Sequence, residues 1–478
     1  MSRLLQTLTR NGFYSLLSSV IRLGANAVLF VMVARFYGPV QFGQFTTAHS
    51  LAVVFTLFAD FGFDLLFTTD IGRDRQSVSY ITPRMLGLKI VLTLVASLLM
   101  CAYPLVQTFS RETQVLIYIF SMYLFFSALQ NFAFAFFRGH DELHHESQIT
   151  LIINVALLVT LLIIALTGGS VYQVAFAFVA SRIVGVALAV AKSSHLITSV
   201  RPVFDPAWIS SAWKTIVIFG LFFVFGNLYF LIDTVLLSMW RGDHDVGIYQ
   251  SVFRIIGVTL ILSDITVNAT LPGLSRLFVV DRAKWALVGS VTSRILFHVG
   301  LAVGFFLFAG AELIISLLYG LDRYAAAVPV MRIFGLTVAV RYSVEMSGLM
   351  LTTSKRQHLR TWLVIGATIT NVAMNMYTIP RFGVIGAASV SFVTNAILGC
   401  AFILFSRNAF LEKWTSLERL LPFALLGLAS AVGIYSHLAW SWLGVAVILV
   451  CYFSLVFVVG YSRYERRIIF EALRAWRP

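Results

Sequence analysis

The sequence predicts an all-α polytopic membrane protein with 14 transmembrane helices, built as two parallel six-helix lobes plus a C-terminal two-helix hairpin. Three observations carry this reading. First, the 478 residues are 59% hydrophobic and only 12% charged, with mean hydropathy +0.88. That is more apolar surface than one water-soluble core of this size can hide. Second, fourteen apolar stretches reach the roughly 18–25 residues needed to cross hydrocarbon as helices. Third, residues 38–45 (GPVQFGQF) return 204 positions later as residues 242–249 (GDHDVGIY), both reading G-x4-G-x-aromatic.

The stretches lie near 12–34, 45–67, 86–107, 114–136, 147–167, 171–191, 215–239, 247–271, 289–310, 326–350, 361–380, 384–406, 420–437 and 441–461. None alternates with the two-residue period of a barrel strand, so the segments satisfy their backbones as helices. Charge placement tests the count independently. Of 35 Lys and Arg, 23 fall at the termini and in even-numbered loops, and five (Arg35, Arg111, Arg241, Arg323, Arg381) in odd loops. By the positive-inside rule both termini and the even loops of this multi-pass protein are cytoplasmic. The net charge of +14 then reports orientation against anionic lipid and needs no nucleic-acid partner. The basic tail around Arg463, Arg466, Arg467, Arg474 and Arg477 is expected on that surface. The first apolar run lacks a cleavage pattern, so no cleavable signal peptide is expected. Cys101, Cys400 and Cys451 fall in spans without metal spacing and read as packing residues.

Six spans separate equivalent points of the repeat, and six is even, so the halves enter the membrane from the same side as parallel repeats. Residues 175–179 (AFAFV) echo 389–393 (VSFV after Ser389), and Gly169 falls on Gly383. The expected organisation is residues 1–200 (first lobe), 201–410 (second lobe) and 411–478 (hairpin and basic tail). The linker around 192–214 carries Pro202 and Pro206. No loop exceeds about 25 residues, which leaves no room for a soluble catalytic domain.

Charged side chains inside spans are costly: an arginine at mid-bilayer costs at least roughly 2.5–3.5 kcal/mol on insertion scales. The spans nevertheless hold Arg22, Lys89, Arg182, Arg254, Arg294, Arg332 and Arg341, together with Asp60, Asp64, Asp233, Asp264 and Glu345. Positions i and i+4 share a helix face, joining Asp60 to Asp64, Asp264 to Asn268, Arg294 to His298, Arg341 to Glu345 and Asn371 to Asn375. These faces point to a hydrated chamber. Plainer readings stand beside it: Arg341 and Glu345 neutralise each other, Arg294 snorkels to the surface, and Asn371 and Asn375 glue helices together. His298 reads as structural. Arg22, Arg182 and Arg254 are the cations these explanations serve least well. In the repeat, Asp60 falls on Asp264 and Asp64 on Asn268.

No phosphate-cradling loop, zinc-type His/Glu pair or nucleophile elbow occurs. The run from Arg138 to Glu146 (RGHDELHHE) is rich in metal-ligand types but sits in a short loop, and no metal is expected there. The chain therefore reads as a transporter and not an enzyme. With no nucleotide site, transport draws on an ion gradient (H+ or Na+) or on the substrate's own.

The segment 35–45 (RFYGPVQFGQF) resembles the R-x-L-G-P-x-x-Y-G signature of bacterial oligosaccharide flippases of the Wzx-type polysaccharide transporter family. Phe36 and Phe42 depart mildly from it. Residues 60–63 (DFGF), 228–237 with 246–249, 272–275 (PGLS), 317–320 (LLYG) and 379–388 (IPRFGVIGAA) are similar to later stretches of that family, in the same order. The resemblance spans about residues 10–400. It implies the multidrug/oligosaccharidyl-lipid/polysaccharide exporter fold, with a cavity between two lobes, alternating access and no catalytic residues. It further implies an undecaprenyl-diphosphate-linked oligosaccharide as substrate, for O-antigen, capsule or exopolysaccharide. Membrane lipids, a glycan polymerase and glycosyltransferases are the implied partners. On that footing Arg22, Arg182, Arg254 and Arg341 are candidate cavity cations for the head group. Asp60, Asp64, Asp233, Asp264, Asn268 and Glu345 are candidates for a gate or an ion-coupling site. A lipid II-type flippase, a multidrug exporter of the same superfamily, and a membrane glycan polymerase or ligase are the alternatives.

Overall fold

The computed structural model describes residues 2–410, except 65, 69–77, 194–200 and most of 211–230, together with Gly444 and Tyr452. Among the described residues it is all helical, and nine helices are long and apolar enough to cross a membrane. The thirteenth expected span, the fourteenth apart from Gly444 and Tyr452, and part of the seventh lie outside the described residues. The chain divides into two compact units, Met1–Arg254 and Ile255–Pro478.

In the first unit, α1 (Ser2–Asp60) holds the first two expected spans. The connection expected over ten residues is a single non-helical glycine, Gly38, with φ 76°. Helix resumes at Pro39, whose fixed φ and missing N–H suit a first helical position. Four further helices follow: α2 (Val78–Val106), α3 (Arg111–Gly139), α4 (Leu143–Leu166) and α5 (Val171–Ser193). Ser110 caps α3 by accepting from the Thr113 N–H at 3.3 Å. α1 packs against α2, α3 and α4, while α5 lies against α3 and α4. Aromatic side chains fill the interior. Phe30, Phe45, Phe120 and Phe178 are all buried and meet edge to face, with centroids 5.1–6.2 Å apart, the arrangement ring quadrupoles favour. A second cluster, with Phe67 stacked on Phe132 at 4.5 Å, lies beyond the end of α1.

Then come α6 (Ile232–Trp240) and α7 (Asp243–Val280), joined at Gly242 with φ 81°. The repeated motif thus uses its first glycine the same way twice, as a left-handed turn residue. The second glycine of each copy serves a close crossing. A Cβ on Gly43 would meet the Asp243 carbonyl, and one on Gly247 would meet the Pro39 carbonyl. Each copy leans on the other's backbone where only hydrogen fits.

The second unit takes the rest of α7, then α8 (Arg282–Ala309), α9 (Ala311–Leu318), α10 (Leu321–Tyr324), α11 (Ala327–Thr353) and α12 (Gln357–Ser406). Asp281 caps α8 by accepting from the Lys284 N–H at 3.0 Å. α11 packs on both α8 and α12. Gly304 and Gly335 set the α8–α11 approach, since a Cβ on either would stand 2.7–2.8 Å from the other's carbonyl oxygen. Small residues at helix contacts are the usual membrane solution. α12 holds expected spans eleven and twelve, broken at Gly383 with φ 54°. Tyr452, in the fourteenth expected span, packs against α8 beside Leu301, Ala302 and Phe305, its hydroxyl 3.3 Å from His298 Nδ1. His298 is therefore a buried core histidine, held through Nδ1.

Candidate functional site

Asp60 is the last residue of α1, before Phe61 and Gly62, both at positive φ. That bend leaves Asp60 and Asp64 facing α2, where Lys89 is 0% exposed. Lys89 Nζ donates to Asp60 Oδ1 at 2.7 Å and to Asp64 Oδ1 at 3.0 Å. A buried charge needs a partner and hydrogen bonds, and this arrangement supplies both. Pairing along one helix joins the two acids, but their cation comes from another span, where i and i+4 reasoning does not reach. The available signal was the place of Lys89 inside an apolar span, where a cation needs an acidic partner.

Arg138 extends the charge network. It grips Glu146 with two hydrogen bonds, Nε to Oε2 at 2.8 Å and Nη2 to Oε1 at 2.7 Å, the fork geometry that makes such pairs strong. It also lies within electrostatic range of Asp64 and Asp60. The ligand-rich run thus closes on itself through its first and last residues. Among the described residues no three metal-ligating side chains converge.

Arg22 lies within electrostatic range of Glu146, Arg138 and Arg182, and its side chain is exposed. Arg182 and Arg254 are half-buried, and both act on His49 between them. The Arg254 guanidinium sits 3.6 Å above the Phe30 ring, and that of Arg182 lies 5.1 Å from the Tyr123 ring. Arg182 also donates to Gln130 Oε1 at 3.4 Å. Gly185, one turn along α5, leaves space for that amide. Among the described residues neither Arg22 nor Arg182 is ion-paired with a carboxylate. The three candidate cations thus lie in one unit, two of them against aromatic rings.

Asp233 is buried and accepts from the Tyr249 hydroxyl at 2.9 Å, and the adjacent Thr234 accepts from Gln250 Nε2 at 2.6 Å. This pair fastens α6 to the start of α7. In the second unit Asp264 and Asn268 are exposed on an unbroken stretch of α7, unlike Asp60 and Asp64 in the first. Asp264 lies within electrostatic range of Glu345 and Arg341. Glu345 pairs with Arg360 at 3.7 Å, a partner that spacing along α11 did not suggest. Asn375 donates to Asn371 at 3.0 Å, and Asn371 to Thr394 at 3.4 Å, within the broken α12; they hold its two arms together. Arg294 does not snorkel as expected. It is 1% exposed, because α8 buries the face shared by Ser290, Ser293 and Arg294.

The profile of a family described as "Polysaccharide biosynthesis protein" matches residues 8–278. Comparison with curated proteins finds no match. Among solved structures, a lipid II flippase, MurJ, in an inward closed conformation superposes with TM-score 0.74 at 12% identity, covering 94% of this chain and 99% of that one. A multidrug resistance MATE family transporter of the MOP superfamily, inward-facing, gives TM-score 0.67 at 16% identity over 83% and 97%. A MOP superfamily transporter from Pyrococcus furiosus gives 0.60 at 15% identity over 84% and 95%. At these identities the likeness is one of fold.

Proposed function

We propose, from the premise that the chain belongs to the polysaccharide biosynthesis protein family, that it is a flippase for undecaprenyl-diphosphate-linked oligosaccharides. It is a multi-pass membrane protein of the MOP-superfamily fold. In this reading it sits in the bacterial inner membrane with both termini cytoplasmic and delivers glycan repeat units for a surface polysaccharide. The observation that supports it most is the gathering of Arg22, Arg182 and Arg254 in one unit. Three neighbouring cations at membrane depth repel one another, and an anionic ligand relieves that repulsion.

A diphosphate carries the charge and acceptor oxygens that guanidinium forks match best. Phe30 and Tyr123 hold two of those forks from below, so little side-chain entropy is lost when the head group arrives. The polyprenyl tail stays in lipid throughout. Asp60, Asp64 and Lys89 serve as an inner gate or ion-coupling site. With all three ionised the group carries one net negative charge, which suits one coupling cation, H+ or Na+. Asp264, Glu345, Arg341 and Arg360 form the second unit's less buried counterpart. The lipid II flippase likeness over 94% of the chain favours, as a second reading, a lipid-linked cell-wall precursor as cargo.

The test is Arg254→Ala in the producing cell. Loss of surface glycan at unchanged protein abundance supports the reading, and normal surface glycan overturns it. Purified protein in vesicles, offered a polysaccharide repeat precursor or lipid II, separates the two cargoes.

A further inference from the structure

Beyond the arginine site, the first unit carries a cavity of 420 Å3 where α1 bends at Gly38, where α3 begins and where α4 passes to α5. All three connections are odd-numbered, the side that the lysine and arginine bias assigns to the exterior. The volume falls within the roughly 300–1,000 Å3 of small-molecule sites. Its walls include Phe36, Gln41, Gln44, Glu112, Ser170 and Tyr172.

The composition is selective. Gln44 is 7% exposed, and its amide has no hydrogen-bond partner among the described residues, although it lines the cavity. The unused amide of this largely buried side chain offers a donor and an acceptor to a ligand in the cavity. Glu112 is the one charged side chain in the lining; its carboxylate accepts from hydroxyls and repels anions. Phe36 and Tyr172 add aromatic rings to the lining, the residue type that packs on an apolar sugar face. The cavity is also built to keep its shape. The Tyr37 hydroxyl donates to the Gly169 carbonyl at 2.9 Å, and the Ser170 N–H donates to Gln173 Oε1 at 2.9 Å. Gly168, at φ 70°, turns the backbone between them.

We propose that this cavity is an outer subsite for a neutral pyranose ring of the transported glycan. Donors and acceptors from Gln41, Gln44 and Glu112 take the ring hydroxyls, and Glu112 excludes acidic sugars. The place of this subsite in transport rests on the flippase reading; the binding itself does not. A ring held there keeps a delivered repeat unit from returning while its lipid end reorients.

The test uses the full-length protein in nanodiscs and saturation-transfer NMR with glucose, N-acetylglucosamine and glucuronate. The two neutral sugars are expected to bind, and glucuronate more weakly by about tenfold, the scale of one hydrogen bond to a charged group lost or opposed. Glu112→Gln should restore glucuronate towards glucose, and Gln44→Leu should weaken the neutral sugars about tenfold. Glu112 is exposed, so its variant keeps the test valid if Gln44→Leu fails to fold. No neutral-sugar signal in the wild type, or signals unchanged in both variants, would overturn the subsite. Failure of the two ideas is distinguishable. Loss of export in Arg254→Ala without saccharide binding removes the subsite alone. Saccharide binding with normal export in Arg254→Ala removes the flippase reading alone.

Discussion

The Lys89 ammonium lies 2.7 Å from the Asp60 carboxylate, and neither group reaches solvent to any useful extent. A single cation from α2 thereby holds the end of α1 and, through Asp64 at 3.0 Å, the bend that follows it. Breaking a buried pair by removing one partner costs more than the pair itself contributes, because the survivor is stranded. Lys89→Met should therefore lose about 3–5 kcal/mol, read by denaturant unfolding of the purified protein. Adding Asp60→Asn and Asp64→Asn should recover much of it. A double or triple variant no more stable than Lys89→Met would mean that the triad is not the origin of the loss.

Phe30 lies 3.6 Å beneath the Arg254 guanidinium, and a desolvated cation over a ring contributes roughly 0.5–2 kcal/mol. Phe30→Leu nearly keeps the volume and removes the π face. Surface glycan should fall several-fold at constant protein abundance, and Phe30→Tyr should retain it. Equal export by the leucine variant would separate the ring from head-group capture.

Gly43 and Gly247 each face the other copy's backbone carbonyl, which no rotamer change can move aside. Gly43→Ala and Gly247→Ala should each cost about 1–3 kcal/mol by overpacking, visible as earlier thermal unfolding. Gly24→Ala is the control, since nothing stands within 4 Å of its Cβ position. An equal effect at all three positions would point to helix propensity and not to the crossing.

Outside the spans, the linker is docked through Asp205. The Trp208 backbone N–H and then the Arg84 guanidinium hold its carboxyl below the usual carboxylate range, with Arg84 Nε at 2.8 Å. A lowered folded pKa means the docking contribution is complete above the unfolded value of about 3.9. It is lost as pH falls through the folded value. The protection of the Trp208 amide, the ratio of its intrinsic to its observed exchange rate at each pH, should fall over that acid range in the wild type. In Asp205→Asn the protection should already be low at neutral pH and change little with pH.

Composition and spacing reveal the fold because membrane helices are specified by length and apolarity, both readable locally. The left-handed turns at Gly38 and Gly242 were likewise visible, as a repeated glycine with a fixed offset. The partners of those elements were not. Lys89 meets Asp60, and Arg360 meets Glu345, across separate helices, and no within-helix period encodes that. Arg294 shows the same limit from the other side. Its nearness to a span end suggested snorkelling, whereas packing between helices set its burial. Arg22, Arg182 and Arg254 were grouped as head-group cations, but which aromatic and amide side chains hold them depends on how the helices pack.

The crossing at Gly43 and Gly247 has a consequence for how such a chain can have arisen and diverged. If the halves descend from one duplicated segment, this is a place where the copies never became independent. Drift at either glycine is penalised by the backbone of its twin, so both positions are held by each other's main chain. Asp64 and Asn268 lie under no such mutual restraint: one is locked to Lys89 and the other is exposed. The duplicated gene could keep its hinge symmetric while letting its polar interior specialise, and the surviving echo in the sequence is the fossil of that unequal freedom.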